Sequence, residues 1–289
     1  MVKTNAEKCP VLVLQGQVNH PGTRLTGRMN PDGQICYVPG TGGITLNAQI
    51  GDSCLGWVAD HLEPGASVKN STENFNNALI TFSCIGNEAV VVSGDAKGAK
   101  GFVTGKHGGI DHVIIYFKKS DLEKMNIEDK IAVKSCGQGM QLVDYPDVVL
   151  RSCSPQLIEK MDLQESEGGL KVGVRKIIDA SIMGSGLGAV NSVSGDYDIT
   201  LHDKEKLEEY HLGDLKFGDL VAIVNADTRF GYTYRTGSVT VGVVVHSDSN
   251  LAGHGPGVAV LMCSKEGALQ PSASVTALPP VSKIRFQLF

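Results

Sequence analysis

The apolar residues of the chain fall in short runs that are typical of β-strands. These runs are continuous or alternate with polar residues, and clusters of glycine, proline, asparagine and aspartate separate them. Such clusters end strands and form turns. The segments that predict strands are residues 11–18, 44–48, 79–84, 88–93, 112–117, 130–135, 148–152, 170–177, 220–225, 238–246, 258–263 and 284–288. We therefore expect a fold that consists mainly of β-sheet.

Signals for helices are few. Ser120 and Glu123 have the spacing of a capping box, which begins a short helix. Ser154 followed by Pro155 is an N-cap before a proline at the first helical position, and it predicts a helix over residues 155–161. A third helix is expected over residues 204–210. With the strands, these elements predict an α+β, mainly β fold with barrel-like or sandwich sheets and a few short helices.

The length of 289 residues fits one large domain or two of ordinary size. A polar segment at residues 162–169 ends in two glycines and interrupts the apolar runs. We place a domain boundary there. The predicted parts are an N-terminal mainly-β domain, residues 1–165, which contains a glycine-rich loop, and a C-terminal mainly-β domain, residues 166–289.

Glycine is abundant, with 35 residues, and it is concentrated in GDAKGAKGFVTGKHGGIDHV at residues 94–113. This segment is not a phosphate-binding P-loop, because Gly105-Lys106 is followed by His107 and not by serine or threonine. Successive glycine N–H groups beside lysines can still bind a carboxylate or phosphate. A solvated hairpin is the alternative. The candidate ligand-binding residues here are Lys97, Lys100, Lys106, Gly108 and Gly109.

Histidine and carboxylate residues cluster at two other places. Asp60 and His61 lie in WVADHLEPG, and we include them among the ligand-binding candidates, although a polar strand end is the alternative. His246 ends an apolar strand, and a glycine-rich loop follows it. Imidazole and carboxylate are suitable ligands for zinc, manganese or iron. The candidate metal ligands are His246, His254 and Asp248, and the candidate catalytic residues are His107, Asp111, His112, Asp227 and Arg229.

Each of these candidates has a structural alternative. Histidines in glycine-rich loops often hydrogen-bond the backbone, and an aspartate two residues from an arginine often pairs with it, as Asp227 and Arg229 can. The glycines at residues 184–189 match G-x-G-x-x-A, but the polar residues that follow would break the helix that a dinucleotide site requires. We therefore expect no nucleotide cofactor.

Charge and cysteine content indicate which partners are unsuitable and which compartment to expect. The formal net charge of −5 argues against binding to nucleic acid. The seven cysteines are scattered, and the first residues do not read as a secretory leader, so we expect reduced thiols and a cytoplasmic protein. No apolar run approaches the ~18 residues of a membrane span. We expect a small-molecule ligand, no membrane association and a homo-oligomer.

Four segments resemble an uncharacterised prokaryotic family of a domain of unknown function with N- and C-terminal parts. They are GNEAVVVSGDAKGAKGFVTGKHGGIDHV, WVADHLEPG, SCGQGMQL and VVVHSDSNLAGHGPGVAV. The resemblance covers nearly the whole chain and implies no known activity. GVVVHSDSNLAGHGPGV is also similar to a loop of acetamidases and formamidases, which implies an amidase. The Gly-Asp-Gly-Glu of that loop is replaced here by Gly253-His254-Gly255-Pro256.

The sequence therefore predicts an enzyme that acts on a small polar or anionic metabolite. We expect a hydrolytic reaction assisted by a divalent metal, zinc or manganese, in which histidines and aspartates bind metal or transfer protons. Lys106 or Arg229 would bind the charge of the substrate. The alternative is a non-catalytic protein that binds a small anion or serves in assembly.

Overall fold

The computed structural model describes residues 2–23 and 27–273 and confirms the mainly β prediction. Strands β1–β9 are Leu12–Val18, Arg28–Met29, Ile35–Cys36, Ile44–Thr45, Gly65–Lys69, Glu88–Val91, Lys100–His107, His112–Tyr116 and Lys130–Ser135. Strands β10–β18 are Val148–Leu150, Leu163–Ser166, Gly169–Val174, Lys176–Asp179, Tyr197–Asp198, Leu220–Asp227, Thr233–Val244, Gly257–Ser264 and Leu269–Ala273. Helices α1–α4 are Glu73–Phe82, Lys119–Leu122, Pro155–Lys160 and Lys204–Glu209, and 3-10 turns cover Ala6–Lys8, Ala180–Ile182 and Leu212–Asp214.

The first half of the chain forms a closed six-stranded barrel. Its strand order is β1-β9-β6-β7-β8-β5, and every pairing is antiparallel. The pairs Gln17 with Lys69 and Val18 with Val68 join β1 to β5 and close the barrel, while β4 adds to β5 outside it. Closure gives the paired strands no free edges.

A second sheet follows in the chain, with strand order β10-β17-β16-β15-β13 and with β14 paired to β17. The pairing of β13 with β15 is parallel, and the other pairings in this sheet are antiparallel. A small sheet of β11, β12 and β18 lies beside it. All eight residues of β17 are buried, as expected for a strand covered on both faces. The predicted division at residue 165 stays a prediction.

The barrel and the second sheet share a hydrophobic core. One cluster of buried residues includes Val103 on β7 and Val245 just after β16. Gly105 on β7 lies directly against Val245, because a Cβ at residue 105 would stand 2.6 Å from the Val245 side chain. This close approach brings the end of β7, which carries His107, beside the end of β16, which leads into His246.

The strand predicted at residues 79–84 is wrong, because α1 covers most of it. Asn76, Leu79 and Ile80 are buried on one face of that helix, the spacing of a 3.6-residue period. The buried asparagine interrupts the apolar pattern, so the short run of Leu79 and Ile80 resembles a strand. The predicted helix at residues 155–161 is confirmed by α3, with Ser154 as its N-cap. The strand predicted at 284–288 lies outside the described residues, and no described helix is long and apolar enough to cross a membrane.

Asn76 connects α1 to the turn between β7 and β8 by hydrogen bonds. Its Oδ1 accepts from the Asn70 N–H at 2.8 Å, and its Nδ2 donates to the Asp111 carbonyl at 3.0 Å. Asn76→Ala should lower the free energy of unfolding by about 1–3 kcal/mol, because it leaves buried polar groups without partners. Urea denaturation measures this loss. Asn77→Ala removes an exposed asparagine from the same helix and should cost less than about 0.5 kcal/mol; equal losses would contradict the role of Asn76.

Candidate metal centre

A cavity of about 600 Å³ lies between the barrel and the second sheet. His61, His107 and His254 line it together with Asp196, Asp198 and Tyr232. Backbone hydrogen bonds bring the two distant loops together at this point. The His61 N–H donates to the Asp248 carbonyl at 3.1 Å, and the Ser247 N–H donates to the Leu62 carbonyl at 3.0 Å. The segment around His61 therefore packs directly against the segment that follows His246.

Three imidazole rings meet beneath this cavity. The ring centroids of His107 and His246 are 4.2 Å apart, and that of His61 lies 5.0 Å from His246 and 5.6 Å from His107. One ring nitrogen of each residue lies within 4.8 Å of the other two. The sequence could not show that the regions of His107 and His246 meet, and the fold brings them into contact.

Each of these histidines has an oxygen atom at Nδ1. His107 Nδ1 lies 2.6 Å from Glu63 Oε1, His61 Nδ1 lies 3.1 Å from Asp60 Oδ2, and His246 Nδ1 lies 2.8 Å from the Ser247 carbonyl. We assign the proton to Nδ1 in all three, because a carbonyl or carboxylate can only accept. This tautomer leaves a lone pair on each Nε2; in His61 that atom lies 3.0 Å from His254 Nδ1, and in His246 it lies 2.6 Å from Asp196 Oδ2. Histidine ligands of metals are oriented in the same way.

Two carboxylates and a fourth histidine complete the centre. Asp196 Oδ2 lies 2.6 Å from His246 Nε2, and Asp198 Oδ1 lies 3.6 Å from the same atom. Asp198 Oδ2 lies 3.1 Å from His254 Nδ1 and 3.6 Å from His61 Nε2. Asp196 and Asp198 flank Tyr197 near β14, so alternate positions present both carboxylates to the same cluster.

His246 Nε2 and Asp196 Oδ2 are both buried, and neither makes a hydrogen bond of acceptable geometry within the described part of the chain. Their separation of 2.6 Å brings two lone-pair atoms together. A cation, either a proton or a metal ion, must offset that repulsion. Burial alone lowers the pKa of His246, but Asp196 and Asp198 outweigh burial and raise it well above its usual value. In the absence of a metal, the site therefore binds a proton there.

Glu63 supports the cluster from below and is 1% exposed. Its carboxylate accepts from the Gly42 N–H at 2.8 Å, from the Ser67 hydroxyl, and from Nδ1 of both His107 and His112. Burial raises the pKa of Glu63, but the hydrogen bonds from the two histidines outweigh it and hold that pKa well below its usual value. Glu63 is therefore a fixed negative charge beneath His107.

Asp60 orients His61 in the same way, by accepting a hydrogen bond from its Nδ1. Besides His61, it accepts from Arg28 Nε at 2.6 Å, from the Ser249 hydroxyl at 2.8 Å and from the Asn250 N–H at 3.0 Å. Burial raises the pKa of Asp60, but His61 and the hydrogen bonds from Ser249 and Asn250 outweigh burial and hold that pKa below its usual value. Arg28 thus connects the wall of the cavity to the carboxylate that orients His61.

The backbone around the site adopts conformations that few residues favour. His61 has a φ of 55° and Asp111 a φ of 58°, both in the left-handed region. Such strain is concentrated at functional sites, where the surrounding contacts maintain it. Gly257 approaches the cluster so closely that a Cβ there would lie 2.0 Å from Asp196 Oδ2 and 2.2 Å from His246 Nε2. Only glycine fits this position.

The remaining candidates of the glycine-rich segment divide into two groups. Gly108, Gly109 and Asp111 line the cavity, and the Gly108 N–H donates to Asp196 Oδ1 at 2.8 Å. His112 lies behind the cluster, with Nδ1 on Glu63 and Nε2 2.8 Å from Asn19 Nδ2. The lysines lie elsewhere. Lys97 is exposed, Lys100 is exposed on β7 with Glu88 3.8 Å away, and Lys106 is fully buried.

Asp227, Arg229 and Asp248 are not among the residues that converge. Asp227 and Arg229 form a two-pronged ion pair with contacts of 3.0 and 2.7 Å. Burial raises the pKa of Asp248, and the Gly56 backbone hydrogen-bonds its carboxylate. The sequence analysis did not select Glu63, Asp196, Asp198 or Tyr232. The Asp-Tyr-Asp spacing at residues 196–198, two carboxylates on one face of a strand, was a usable signal for two of them.

The fold and the site define a class: a β-barrel protein with a buried histidine–carboxylate centre at its junction with a second sheet. The chain belongs to the family described as a domain of unknown function, DUF4438, whose N-terminal model matches residues 28–159 and whose C-terminal model matches residues 160–278. The resemblance found in the sequence is thereby confirmed. The crystal structure of TM1086 is similar, with a TM-score of 0.92 and 43% identity over 96% of this chain and 97% of that one. No curated protein matches the chain.

Lys106 links α1 to the loop before β14. Its Nζ donates to the Thr81 carbonyl at 3.1 Å and to the Val193 carbonyl at 2.5 Å, and burial lowers its pKa from 10.5 to about 8. Between these two values the unfolded chain retains a proton that the native protein has lost, so this lysine makes stability rise with pH. Below about pH 8 both the native and the unfolded state hold the proton, so Lys106 no longer makes the stability depend on pH.

Lys106→Met should therefore remove a pH dependence. The free energy of unfolding of the wild type, minus that of the variant, should increase as the pH rises from about 8 to about 10.5. Urea denaturation at several pH values measures the difference. Lys97→Met removes an exposed lysine and should reproduce the wild-type profile. Parallel profiles for wild type and Lys106→Met would show that the buried amine keeps its proton in both states.

Proposed function

We propose that this protein is a cytoplasmic, metal-dependent hydrolase that acts on a small polar metabolite with negative charge. One observation carries the proposal: three buried imidazoles, each with an oxygen atom at Nδ1, converge so that one ring nitrogen of each lies within 4.8 Å of the others, and two carboxylates face them in a cavity. The centre contains nitrogen and oxygen donors, which favour zinc, manganese or iron over calcium or magnesium. His61, His107 and His246 would bind the metal, with Asp196, Asp198 and His254 adjacent.

The surrounding residues suit hydrolysis. A metal bound in such a site supplies activation of water at neutral pH. Asp196 and Asp198 are within reach to accept a proton from a water molecule at the centre, and His254, whose side chain is 31% exposed, can pass that proton towards solvent. Glu63 and Asp60 hold His107 and His61 in place without taking part in proton transfer.

Tyr232 can serve as the donor to the substrate. It lines the cavity, and its buried hydroxyl has no hydrogen-bond partner within the described residues. A buried, unpaired hydroxyl costs about 1–3 kcal/mol, which a hydrogen bond to the reacting oxygen in the transition state would recover. Burial, together with Asp196 and Asp198, raises the pKa of Tyr232 well above its usual value. The phenol therefore remains protonated and can donate to the charge that develops on a substrate oxygen.

The size and lining of the cavity limit the substrate. A cavity of about 600 Å³ is in the range of sites for small molecules. Arg28 lies at its wall and pairs with Asp60 there. The alternative of a non-catalytic anion-binding or assembly protein has less support, because Lys97 and Lys100 are exposed and Lys106 donates to backbone carbonyls. The expectations of a homo-oligomer and of no nucleic-acid partner stay predictions.

Protein purified without a histidine tag should contain zinc or manganese by elemental analysis. Removing the metal with a chelator should lower the melting temperature, and returning it at 100 times its Kd should restore about 2.7 kcal/mol of stability. His107→Ala and His246→Ala should each weaken metal binding by at least about 10²-fold. His20→Ala removes an exposed histidine and should bind metal as the wild type does. Full binding in both site variants would refute the metal centre.

Hydrolysis can be measured with the metal-loaded protein on a panel of simple amides, carboxylic esters and phosphate esters. Tyr232→Phe should reduce kcat on any substrate found by about 10²–10³-fold, because it removes only a donor to the transition state. Metal content and KM should change little. Tyr234→Phe, at an exposed position two residues further along the chain in β16, is the matched control. Equal rates for the metal-loaded and metal-free protein across the panel would count against a metal-dependent hydrolase.

A further inference from the structure

The two oxygens of Asp198 face different groups of ligands. Oδ2 lies 3.1 Å from His254 Nδ1 and 3.6 Å from His61 Nε2. Oδ1 lies 3.6 Å from His246 Nε2, which is itself 2.6 Å from Asp196 Oδ2. The first group is therefore His61, His254 and Asp198, and the second is His246, Asp196 and Asp198. In each group the ligand atoms lie within 4.8 Å of one another.

His107 belongs with both groups. Its ring stacks on His246 at 4.2 Å between centroids and on His61 at 5.6 Å. The centre thus offers four histidines and two aspartates, more donors than the four that a single zinc ion normally takes. Asp198 is the one residue that occurs in both groups with a different oxygen in each. A carboxylate placed in this way is suited to bridge two cations.

The charges of the buried groups lead to the same conclusion. Four carboxylates surround the imidazoles, namely Asp60, Glu63, Asp196 and Asp198, and each has a side chain no more than 6% exposed. Arg28 pairs with Asp60 and neutralises one of them. One divalent cation would leave a net negative charge in a buried site, which is costly. Two divalent cations offset the three remaining carboxylates and leave one positive charge, which suits a substrate with negative charge.

We propose that this centre binds two divalent metal ions, bridged by the Asp198 carboxylate. One ion is held by His61 and His254, the other by His246 and Asp196, and His107 completes the coordination of either. Paired metal sites have their ions about 3.5–4 Å apart and stabilise both the attacking and the leaving oxygen of a displacement. The inference rests on the proposed metal dependence and specifies its stoichiometry; with two ions bound, Asp196, Asp198 and His254 would serve as ligands and would not transfer the proton.

Manganese distinguishes one ion from two. Metal-free full-length protein is titrated with Mn²⁺, the stoichiometry is determined by calorimetry, and the electron paramagnetic resonance spectrum is recorded at saturation. We expect two ions per chain and an exchange-coupled signal, because a carboxylate bridge couples the two electron spins. Asp198→Asn should lose the coupled signal and at least one ion, since an amide has only one oxygen to offer. His254→Ala, at a partly exposed position, should retain one uncoupled ion even if the first variant fails to fold.

Asp248→Asn is the matched control, because it removes a nearby carboxylate outside both groups. It should retain two ions and the coupled signal. One uncoupled ion per wild-type chain would overturn the paired centre and leave a single-metal hydrolase intact. No bound ion would refute both. Two ions with unchanged coupling in Asp198→Asn would show that another group forms the bridge.

Discussion

The arrangement of the centre depends on one buried carboxylate. Glu63 accepts four hydrogen bonds, from the Gly42 backbone, Ser67, His107 and His112. These donors come from the loop before β4, from β5 and from the facing ends of β7 and β8. A single negative charge thus joins three strands of the barrel and orients His107. Such a charge is stable in the interior only when its oxygens are fully hydrogen-bonded, as they are here.

Around this carboxylate, burial and charge oppose one another throughout the site. Burial disfavours every ionised group, yet Glu63, Asp60 and Asp198 all have pKa values below their usual range because histidines donate to them. His246 has the opposite shift for the same reason. Keeping these buried charged groups together lowers the folding stability relative to an apolar core of similar volume. Such a loss of stability is expected where the cluster binds a ligand.

The sequence predicted the sheet-dominated fold and located three of the loops that reach the centre. Turn residues and strand periodicity are local signals, so they could be identified without the tertiary structure. The approach of His107 to His246 could not, because it depends on how the barrel packs against the second sheet. Asp196 and Asp198 were missed since they lie in a polar stretch with short elements. The prediction of a strand at residues 79–84 was wrong because the buried face of the helix contains the polar Asn76, which interrupts its apolar pattern.

The contact of Gly105 with Val245 extends the site beyond its cavity. A methyl group at residue 105 would meet Val245 at 2.6 Å, and relief of that overlap would separate the strands that bring His107 and His246 together. Residue 105 contacts no substrate and no candidate ligand atom, so a search based on distance to the cavity would classify it as neutral. Its tolerance to substitution should instead resemble that of a ligand. The spacing between the barrel and the second sheet therefore constrains residues that lie outside the candidate site.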